Sequence, residues 1–373
     1  MKLFVVAGEP SGDRLGAALM DGLKTLSPGV TFQGIGGPMM EAEGLISRFA
    51  MEELSIMGLA EVIPRYFPLK RRIRQTAQAV LDSGAQALIT IDSPDFCLRV
   101  AAIVKAARPG LKTIHYVAPS VWAWRPGRAV KMARVIDHVL ALLPFEPPLM
   151  TAAGMSCDFV GHPVVADPLA TPTERALMAG SAPLILTLPG SRKAEVTRLA
   201  PVFGETLSRI KQAHPNARVA LPTVRGVEPL VRALTENWPI APRIITDPIL
   251  KRSAFAAADV AIAASGTVSL ELAANACPMV IAYDMNPLTL WLMRRAALID
   301  TVTLVNLVSD TRTIPEFIGP RCVPGLIAPA VIDLLGEQGA SQKAAMAFTM
   351  DRLGWGGEAP GVRAARSVLA HLD

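Results

Sequence analysis

The sequence predicts an α/β protein with two domains, each built on a parallel sheet. The chain has 373 residues, whereas one domain usually has about 100–200. Apolar residues make up 51% of the chain and aromatic residues only 5%, a composition typical of buried parallel strands flanked by helices. Short apolar runs alternate with helical patterns in both halves, and this alternation indicates βαβ units.

In the first half, four apolar runs predict strands: Leu3–Ala7, Ala87–Ile91, Thr113–Val117 and Val139–Leu143. Between the first two runs, Leu and small residues recur at helical spacing from Asp13 to Leu26. This spacing predicts an amphipathic helix that packs on the sheet.

A stretch rich in proline and glycine, from Val164 to Pro183, predicts the connection between the domains. After it, strands are predicted at Leu184–Leu188, Arg218–Leu221, Val260–Ala264 and Met279–Tyr283, with helices at Glu195–Ala213 and Val268–Ala276. We therefore expect an N-terminal domain at 1–164, a second domain at 165–340 and a helical tail at 341–373. Two similar halves also imply a cleft between them.

Composition narrows the function classes. A net charge of +5 suits phosphates, nucleic acid or an anionic membrane. No nucleic-acid-binding motif accompanies it, so we expect no nucleic-acid partner. The four cysteines form no CxxC pair, and no two of the five histidines have metal-ligand spacing, so we predict no metal site and a cytoplasmic location. Without a signal peptide or a membrane-spanning run, any membrane contact would be peripheral.

The first predicted strand runs into the turn Gly8-Glu9-Pro10-Ser11-Gly12-Asp13, which opens a helix. Free N–H groups at a helix start favour an anion, so Glu9, Ser11 and Gly12 are candidate phosphate or acceptor ligands. The turn is neither the GxGxxG of dinucleotide folds nor a P-loop, which disfavours NAD and ATP. The alternative is a tight turn with Asp13 as a helix cap.

The second domain begins in the same way, with Leu188-Pro189-Gly190-Ser191-Arg192-Lys193 between a strand and a helix. A small-residue turn, a helix start and two cations suit a diphosphate, so Ser191, Arg192 and Lys193 are candidate ligands. The alternative is a solvated turn whose cations pair with Glu195.

The segment from Ala264 to Glu271 again joins a strand to a helix. Ser265, Gly266 and Thr267 offer hydroxyl and backbone donors to phosphate oxygens. Glu271 lies one turn after Thr267 and could accept hydrogen bonds from ribose hydroxyls. The alternative is that Glu271 is an ordinary exposed helical residue.

Asp92 follows the apolar strand Ala87–Ile91 and is a candidate general base for a sugar hydroxyl, because strand carboxyl ends face the ligand crevice of open α/β sheets. A turn-capping role is the alternative. Farther along, Trp122, Trp124 and Arg125 suit either a sugar or acyl-chain rim or, for the tryptophans, a core.

The segment 57–75 interleaves apolar and aromatic residues with cations. This pattern is typical of membrane interfaces, where apolar side chains insert and cations meet lipid phosphates. A helix face that packs on the core would also alternate. The predicted membrane residues are Ile63, Phe67, Leu69, Lys70, Arg71, Arg72, Ile73 and Arg74.

Taken together, these motifs closely resemble lipid-A-disaccharide synthases, in one order along nearly the whole chain. The matching segments are 8–13, 92–96, 116–125, 143–146, 161–163, 188–192, 264–271 and 305–307. The resemblance implies a GT-B fold, in which two Rossmann-like parallel-sheet domains face a central cleft.

The resemblance also implies an activity: inverting transfer of 2,3-diacylglucosamine from its UDP carrier to 2,3-diacylglucosamine 1-phosphate (lipid X). The products would be a β-1,6-linked disaccharide and UDP, with no cofactor. Asp92 becomes the candidate base, Arg192 a diphosphate ligand, and Ser265 to Glu271 with Asn306 the nucleotide wall. The enzyme would lie on the cytoplasmic face of the inner membrane, and its tail would pack on its own or a dimer partner's first domain.

Two other functions remain compatible with parts of the sequence. A UDP-sugar epimerase would share the fold and the nucleotide wall, but would have no use for a basic, lipid-facing segment at 63–74. A lipid-binding or scaffold protein would use that segment and leave Asp92 and Arg192 dispensable.

Overall fold

A computed structural model describes residues 1–54, 59–336 and 339–372, apart from the side chains of 59–66, 288 and 294. Within these residues the chain forms two compact units. The first unit comprises Met1–Ala166 and Leu353–Asp373, and the second comprises Asp167–Arg352. Each unit is described separately below.

The first unit contains a six-stranded parallel sheet in the order β2-β1-β3-β4-β5-β6. Its strands are β1 (Lys2–Ala7), β2 (Thr31–Ile35), β3 (Ala87–Ile91), β4 (Lys112–Tyr116), β5 (His138–Ala141) and β6 (Ser156–Phe159). Its helices before residue 167 are α1 (Pro10–Leu26), α2 (Pro38–Ala42), α3 (Leu59–Asp82), α4 (Pro94–Ala107), α5 (Gly127–Met132) and α6 (Pro147–Ala152).

Both faces of this sheet are covered. In β1, Phe4 and Val6 point into one apolar cluster, and Leu3 and Val5 point into the other, because side chains alternate along a strand. Burial on both faces explains why the central strands are continuous apolar runs.

The second unit repeats this plan, with the parallel sheet order β12-β11-β10-β7-β8-β9. Its strands are β7 (Leu184–Leu188), β8 (Arg218–Pro222), β9 (Pro242–Ile245), β10 (Val260–Ala263), β11 (Met279–Tyr283) and β12 (Glu316–Ile318). Its helices are α7 (Pro172–Ala176), α8 (Lys193–Ala213), α9 (Glu228–Thr235), α10 (Pro248–Ala257), α11 (Val268–Ala274), α12 (Pro287–Ala296), α13 (Leu304–Ser309), α14 (Pro324–Leu335) and α15 (Gly339–Arg352). The predicted α/β class with parallel sheets is confirmed in both units.

The segment expected as a single tail, 341–373, is divided in the structure. Helix α15 packs within the second unit, where the Gln342 side chain accepts from the amide of Met279 (2.8 Å) and donates to its carbonyl (3.0 Å). Helix α16 (Pro360–Leu372) belongs to the first unit and crosses α1. The crossing is close: a Cβ at Gly361 would lie 2.4 Å from the carbonyl oxygen of Ala18.

A buried polar cluster also attaches α16 to the first sheet. His138 Nε2 lies 2.8 Å from Ser367 Oγ, and Ser367 Oγ donates to Asp158 at 2.6 Å. The ring of His371 stacks on that of His138 with 4.5 Å between centroids. Burial, reinforced by His371, lowers the pKa of His138 to about 4, so the ring is neutral at pH 7.

Candidate functional site

Three loops at the carboxyl edge of the second sheet enclose a cavity of about 500 Å³. They follow β7, β8 and β10, and residues of α10 and α11 close the side. Ligands of open α/β sheets bind at this edge. The cavity brings together predicted site residues from two separate motifs: Ser191, Arg192, Ser265, Gly266, Thr267 and Glu271. Lys193, the first residue of α8, is exposed and is not part of the lining among the described residues.

The turn after β7 is shaped by Gly190, whose φ is 108°. A Cβ there would lie 2.4 Å from Glu195 Oε2, so both the backbone angle and the space favour glycine. Arg192 is the N-cap residue of the 21-residue helix α8, and its side chain is 63% exposed. The positive end of a long helix and a guanidinium thus meet at one edge of the cavity.

Arg192 contacts Glu195 in this structure, with 3.1 Å between Nη1 and Oε1. Tyr283 also donates to Glu195 Oε1, at 3.5 Å. Burial, together with the Glu195 carboxylate, raises the pKa of Tyr283. The predicted alternative, pairing of a turn cation with Glu195, is therefore present for Arg192, and it leaves 63% of the arginine side chain exposed.

Elsewhere in the lining, Glu271 forms an ion pair with Lys251 (2.6 Å). Lys251 also lies over the ring of Phe255, 5.2 Å from its centroid. No motif marks Lys251 in the sequence, since α10 brings it to the cavity from 20 residues before Glu271. The cavity therefore holds a second cation, and Glu271 is not an isolated helical carboxylate.

The structure corrects the expectation that Asn306 forms part of the nucleotide wall. Asn306 is 1% exposed, and its amide group donates to Thr301 Oγ1 and the Ile314 carbonyl while accepting from the Ile314 amide. The side-chain amide group of Asn306 thus bonds to partners within the protein. Its link to the cavity is indirect. Asn306 bonds to Thr301, and the carbonyl of the next residue, Val302, accepts from Ser265 Oγ at 3.5 Å.

At the carboxyl edge of the first sheet, Asp92 and Ser93 have φ angles of 52° and 45°. Left-handed backbone is uncommon for residues other than glycine, and it concentrates at functional sites. Asp92 Oδ1 accepts from the Ser93 amide at 2.9 Å, so the predicted turn-capping contact exists. Its second carboxylate oxygen, Oδ2, remains as the candidate base.

The predicted ligands of the first turn have different surroundings. Glu9 is the N-cap residue of α1 without a side-chain capping bond, and Ser11 is exposed. Gly12 is buried, and a Cβ there would lie 3.3 Å from that of Ala7, so it allows close packing. Asp13 does not cap α1: its carboxylate accepts from three amides, of Gly37, Met39 and Met40, at the start of α2.

The aromatic segment after β4 is held by a residue that the sequence analysis left without a role. Buried Glu146 accepts from Trp122 Nε1 at 3.1 Å and from the amides of Leu142 and Leu143. Burial raises its pKa to about 7, although these bonds oppose the shift. Trp122 is thereby fixed, whereas Trp124 is 38% exposed.

The predicted membrane residues divide between two faces of α3. Ile73 is 4% exposed and belongs to the core, and Leu69, one turn earlier, packs against it, so their predicted insertion into a membrane is wrong. Arg72 pairs with Glu53 at 2.7 Å and lies over the ring of Phe49. The side chain of Ile63 falls outside the described residues.

Four of the predicted membrane residues are exposed on one face of α3. Phe67 is 78% exposed, and Lys70, Arg71 and Arg74 are exposed on the same side of the helix. In the described part of the chain, no helix is long and apolar enough to cross a membrane. The same residues contain no group of three or more His, Cys, Asp and Glu side chains that could hold a metal.

Solved structures resemble this chain over almost its whole length. UDP-GlcNAc 2-epimerase from Neisseria meningitidis, bound to UDP-GlcNAc, matches with a TM-score of 0.63 and 10% identity, covering 100% of this chain and 99% of that chain. MurG from Acinetobacter baumannii matches with a TM-score of 0.54 and 14% identity, covering 98% and 94%. The two sheets and these likenesses define a protein of the GT-B fold, a class that contains both glycosyltransferases and epimerases.

Sequence comparison decides between these two classes. Residues 3–355 match the family model for lipid-A-disaccharide synthetase. The chain is 59% identical to the lipid-A-disaccharide synthase of Ruegeria pomeroyi, covering 100% of this chain and 96% of the relative. It is 46% identical to that of Rhodospirillum centenum, covering 98% and 94%. The chain belongs to the lipid-A-disaccharide synthase family and is a glycosyltransferase of lipid A biosynthesis.

Proposed function

We propose that this enzyme transfers 2,3-diacylglucosamine from UDP-2,3-diacylglucosamine to 2,3-diacylglucosamine 1-phosphate. The reaction forms a β-1,6 bond with inversion and releases UDP. The observation that carries the proposal is the cavity of about 500 Å³ in the second unit, whose lining brings the exposed Arg192 at the start of α8 together with the hydroxyl groups of Ser265 and Thr267 and the Lys251–Glu271 pair. That volume lies within the range of small-molecule sites.

In this proposal the donor diphosphate binds at the turn after β7. The backbone N–H groups at the start of α8 and the guanidinium of Arg192 bind its oxygens, and Ser265 and Thr267 donate from the second turn. Glu271 accepts from the ribose hydroxyls while Lys251 keeps its carboxylate in place. As UDP leaves, negative charge grows on the diphosphate, and Arg192 stabilises it without a metal ion.

Asp92 is the proposed general base. Inversion requires the acceptor 6-hydroxyl to attack the anomeric carbon from the side opposite UDP, so a base must remove its proton on that side. The Ser93 amide occupies Oδ1 of Asp92 and orients the carboxylate, which leaves Oδ2 to accept the proton. The left-handed backbone at both residues supports a functional role for this turn.

We also propose where the enzyme works. Both substrates carry two acyl chains, so the enzyme must reach them at the cytoplasmic face of the inner membrane, as a peripheral protein. The exposed cations around Phe67 on α3 would bind anionic lipid headgroups there. A homodimer with a swapped C-terminal segment remains part of the proposal. Helix α16 buries Ala364, Ala365 and Val368 in the core of the first unit, so a partner's α16 would have to make the same contacts.

The experiment is to supply the purified enzyme with UDP-diacylglucosamine and lipid X and to follow UDP release and product mass. The expected product has the combined mass of UDP-diacylglucosamine and lipid X minus that of UDP, and a β anomeric coupling by NMR. UDP release without lipid X would indicate hydrolysis, and an α-linked product would contradict inversion. UDP-GlcNAc alone should give no C2 epimer, which separates the proposal from the epimerase alternative.

A further inference from the structure

Helix α12 in the second unit exposes an apolar surface that no motif above explains. Trp291, Leu292 and Met293 are 52%, 53% and 47% exposed, and Leu298, just after the helix, is 60% exposed. Surface apolar residues usually occur singly, so a cluster of four on one short segment indicates a binding surface. We refer to these four residues as the α12 surface.

The helix is embedded along one side only. Leu290 is 8% exposed, and a Cβ at Gly319 would lie 2.4 Å from its side chain, so this leucine anchors α12 to the unit. Successive helical residues are about 100° apart, so Trp291 to Met293 cover about 200° of the circumference. Among the residues of α12 whose side chains are described, all except Leu290 are exposed.

Positive charge accompanies this apolar surface. The Arg295 guanidinium lies over the Trp291 ring, 4.6 Å from its centroid. The segment 291–299 contains two arginines and no acidic residue, and Asp300, which follows, is paired with Arg312. Tryptophan, aliphatic side chains and arginine together are the composition of segments that lie in a membrane interface.

We infer that the α12 surface docks on an anionic lipid bilayer, with Trp291, Leu292 and Met293 entering the headgroup boundary and Arg295 binding lipid phosphates. A symmetric contact between two copies would gather the arginines of both in one interface without an acidic residue from 291–299 to pair with them, which disfavours that occupant. The inference rests in part on the proposed function, because membrane-resident substrates give the enzyme a reason to dock. It adds a lipid-binding surface to the unit that holds the donor cavity.

The test uses the full chain without substrates and vesicles of phosphatidylcholine with or without phosphatidylglycerol. The double variant Leu292→Ser/Met293→Ser should lower sedimentation with anionic vesicles by at least about tenfold, because it removes two apolar side chains from the interface. Arg295→Gln should lower it by about fivefold on anionic vesicles and leave neutral ones unaffected. Since these side chains are exposed, melting temperatures should stay within about 2 °C.

The matched control is Phe348→Ser on α15. Phe348 is 49% exposed and also has an arginine over its ring, Arg352 at 5.7 Å, but the four residues three or four positions away along the helix, 344, 345, 351 and 352, are small or charged. Vesicle binding of this variant should equal that of the unchanged chain. Equal losses in the control and the α12 variants would overturn the inference.

Two other outcomes would also overturn it. If binding survives the double variant but is lost in Phe67→Ser, the α3 surface alone meets the lipid. If the double variant changes the oligomeric state by light scattering while binding is kept, the α12 surface joins copies of the chain.

The transfer reaction is measured separately with detergent-dispersed substrates, where the double variant should match the unchanged chain. Failure of transfer in the unchanged chain would count against the proposed substrates and leave the vesicle result standing.

Discussion

Replacing Arg192 by Ala should separate its effect on catalysis from its effect on stability. The Arg192–Glu195 pair is exposed on the arginine side, and such pairs contribute about 0.2–1 kcal/mol to folding. For a unit of this size, about 1 kcal/mol corresponds to a shift of about 2–4 °C in the melting temperature. The fold should therefore survive the substitution.

Turnover should fall much further. Removing one donor from a site that stabilises developing negative charge costs about 2.7–4 kcal/mol, or about 10²–10³ in kcat. Arg192→Lys should give an intermediate loss, since the ammonium keeps the charge but cannot donate to two phosphate oxygens at once. The assay is UDP release at saturating donor, with UDP binding measured by calorimetry.

Glu195 supplies a second test of the same reasoning. The Glu195 carboxylate pairs with Arg192 and would compete with a diphosphate for it under the proposed role, so Glu195→Gln should tighten UDP binding by up to about fivefold. In the Arg192→Ala background this gain should disappear. A gain that persists there would mean that Glu195 acts by repelling the diphosphate directly.

Arg209 provides the matched control. It lies on the same helix, α8, is 52% exposed, and pairs with Glu205 at 3.3 Å. Arg209→Ala should leave turnover unchanged. Near-normal turnover in Arg192→Ala, or equal losses in both variants, would refute the role given to Arg192.

Three further predictions follow from the site and the first unit. Asp92→Asn should lower turnover by about 10²–10⁴-fold with UDP binding and melting unchanged; loss of the fold would make Asp92 structural. Activity should persist in EDTA, and a loss that Mg²⁺ restores would contradict the metal-free proposal. Burial lowers the pKa values of His115, His138 and His162 to about 4, so the stability from keeping them neutral is lost as pH falls from about 6.5 towards 4. Glu146 has the opposite effect on stability, because its pKa is raised to about 7 and the folded protein gains a proton there as the pH falls. It contributes one proton, whereas the three histidines contribute three. Melting temperature should therefore be lower at pH 5 than at pH 7.5, and His138→Gln should reduce the difference.

The central strands could be predicted from sequence, and the edge strands could not. Eight strands were predicted, and all eight are present within one or two residues at either end. The four that were missed, β2, β6, β9 and β12, are the four sheet edges. Edge strands are buried less completely, and their sequences alternate or contain prolines instead of forming apolar runs.

Helical spacing explains why only some of the predicted membrane residues of α3 are exposed. Leu69 and Ile73 are four residues apart and lie on one face, which the core covers. Phe67, Arg71 and Arg74 lie on another face, which is exposed. The sequence pattern contained both faces, and treating the whole segment as membrane-facing merged a core stripe with a surface stripe.

Cavity residues next to a recognisable turn could be predicted from the sequence. A residue that reaches the cavity only through the packing of a distant helix could not. Gly190 and Gly266 shape turns that are visible in the sequence, so their neighbours Arg192 and Ser265 could be assigned to the cavity. Lys251 could not, because no local pattern distinguishes one helical lysine that reaches a cavity from others that reach solvent. Its position depends on packing between α10 and the sheet, which only the folded chain specifies.

Asn306 shows the converse limit. The resemblance implied that Asn306 belongs to a nucleotide wall, but its amide group bonds to Thr301 and Ile314 within the protein. The sequence around such an amide is the same whether its hydrogen-bond partners belong to a ligand or to the protein itself. Asn306 can still affect the cavity through the 301–303 segment, whose Val302 carbonyl accepts from Ser265. A loss of activity on its replacement should therefore be accompanied by a loss of stability, whereas replacement of Arg192, the proposed diphosphate ligand, should lower activity alone.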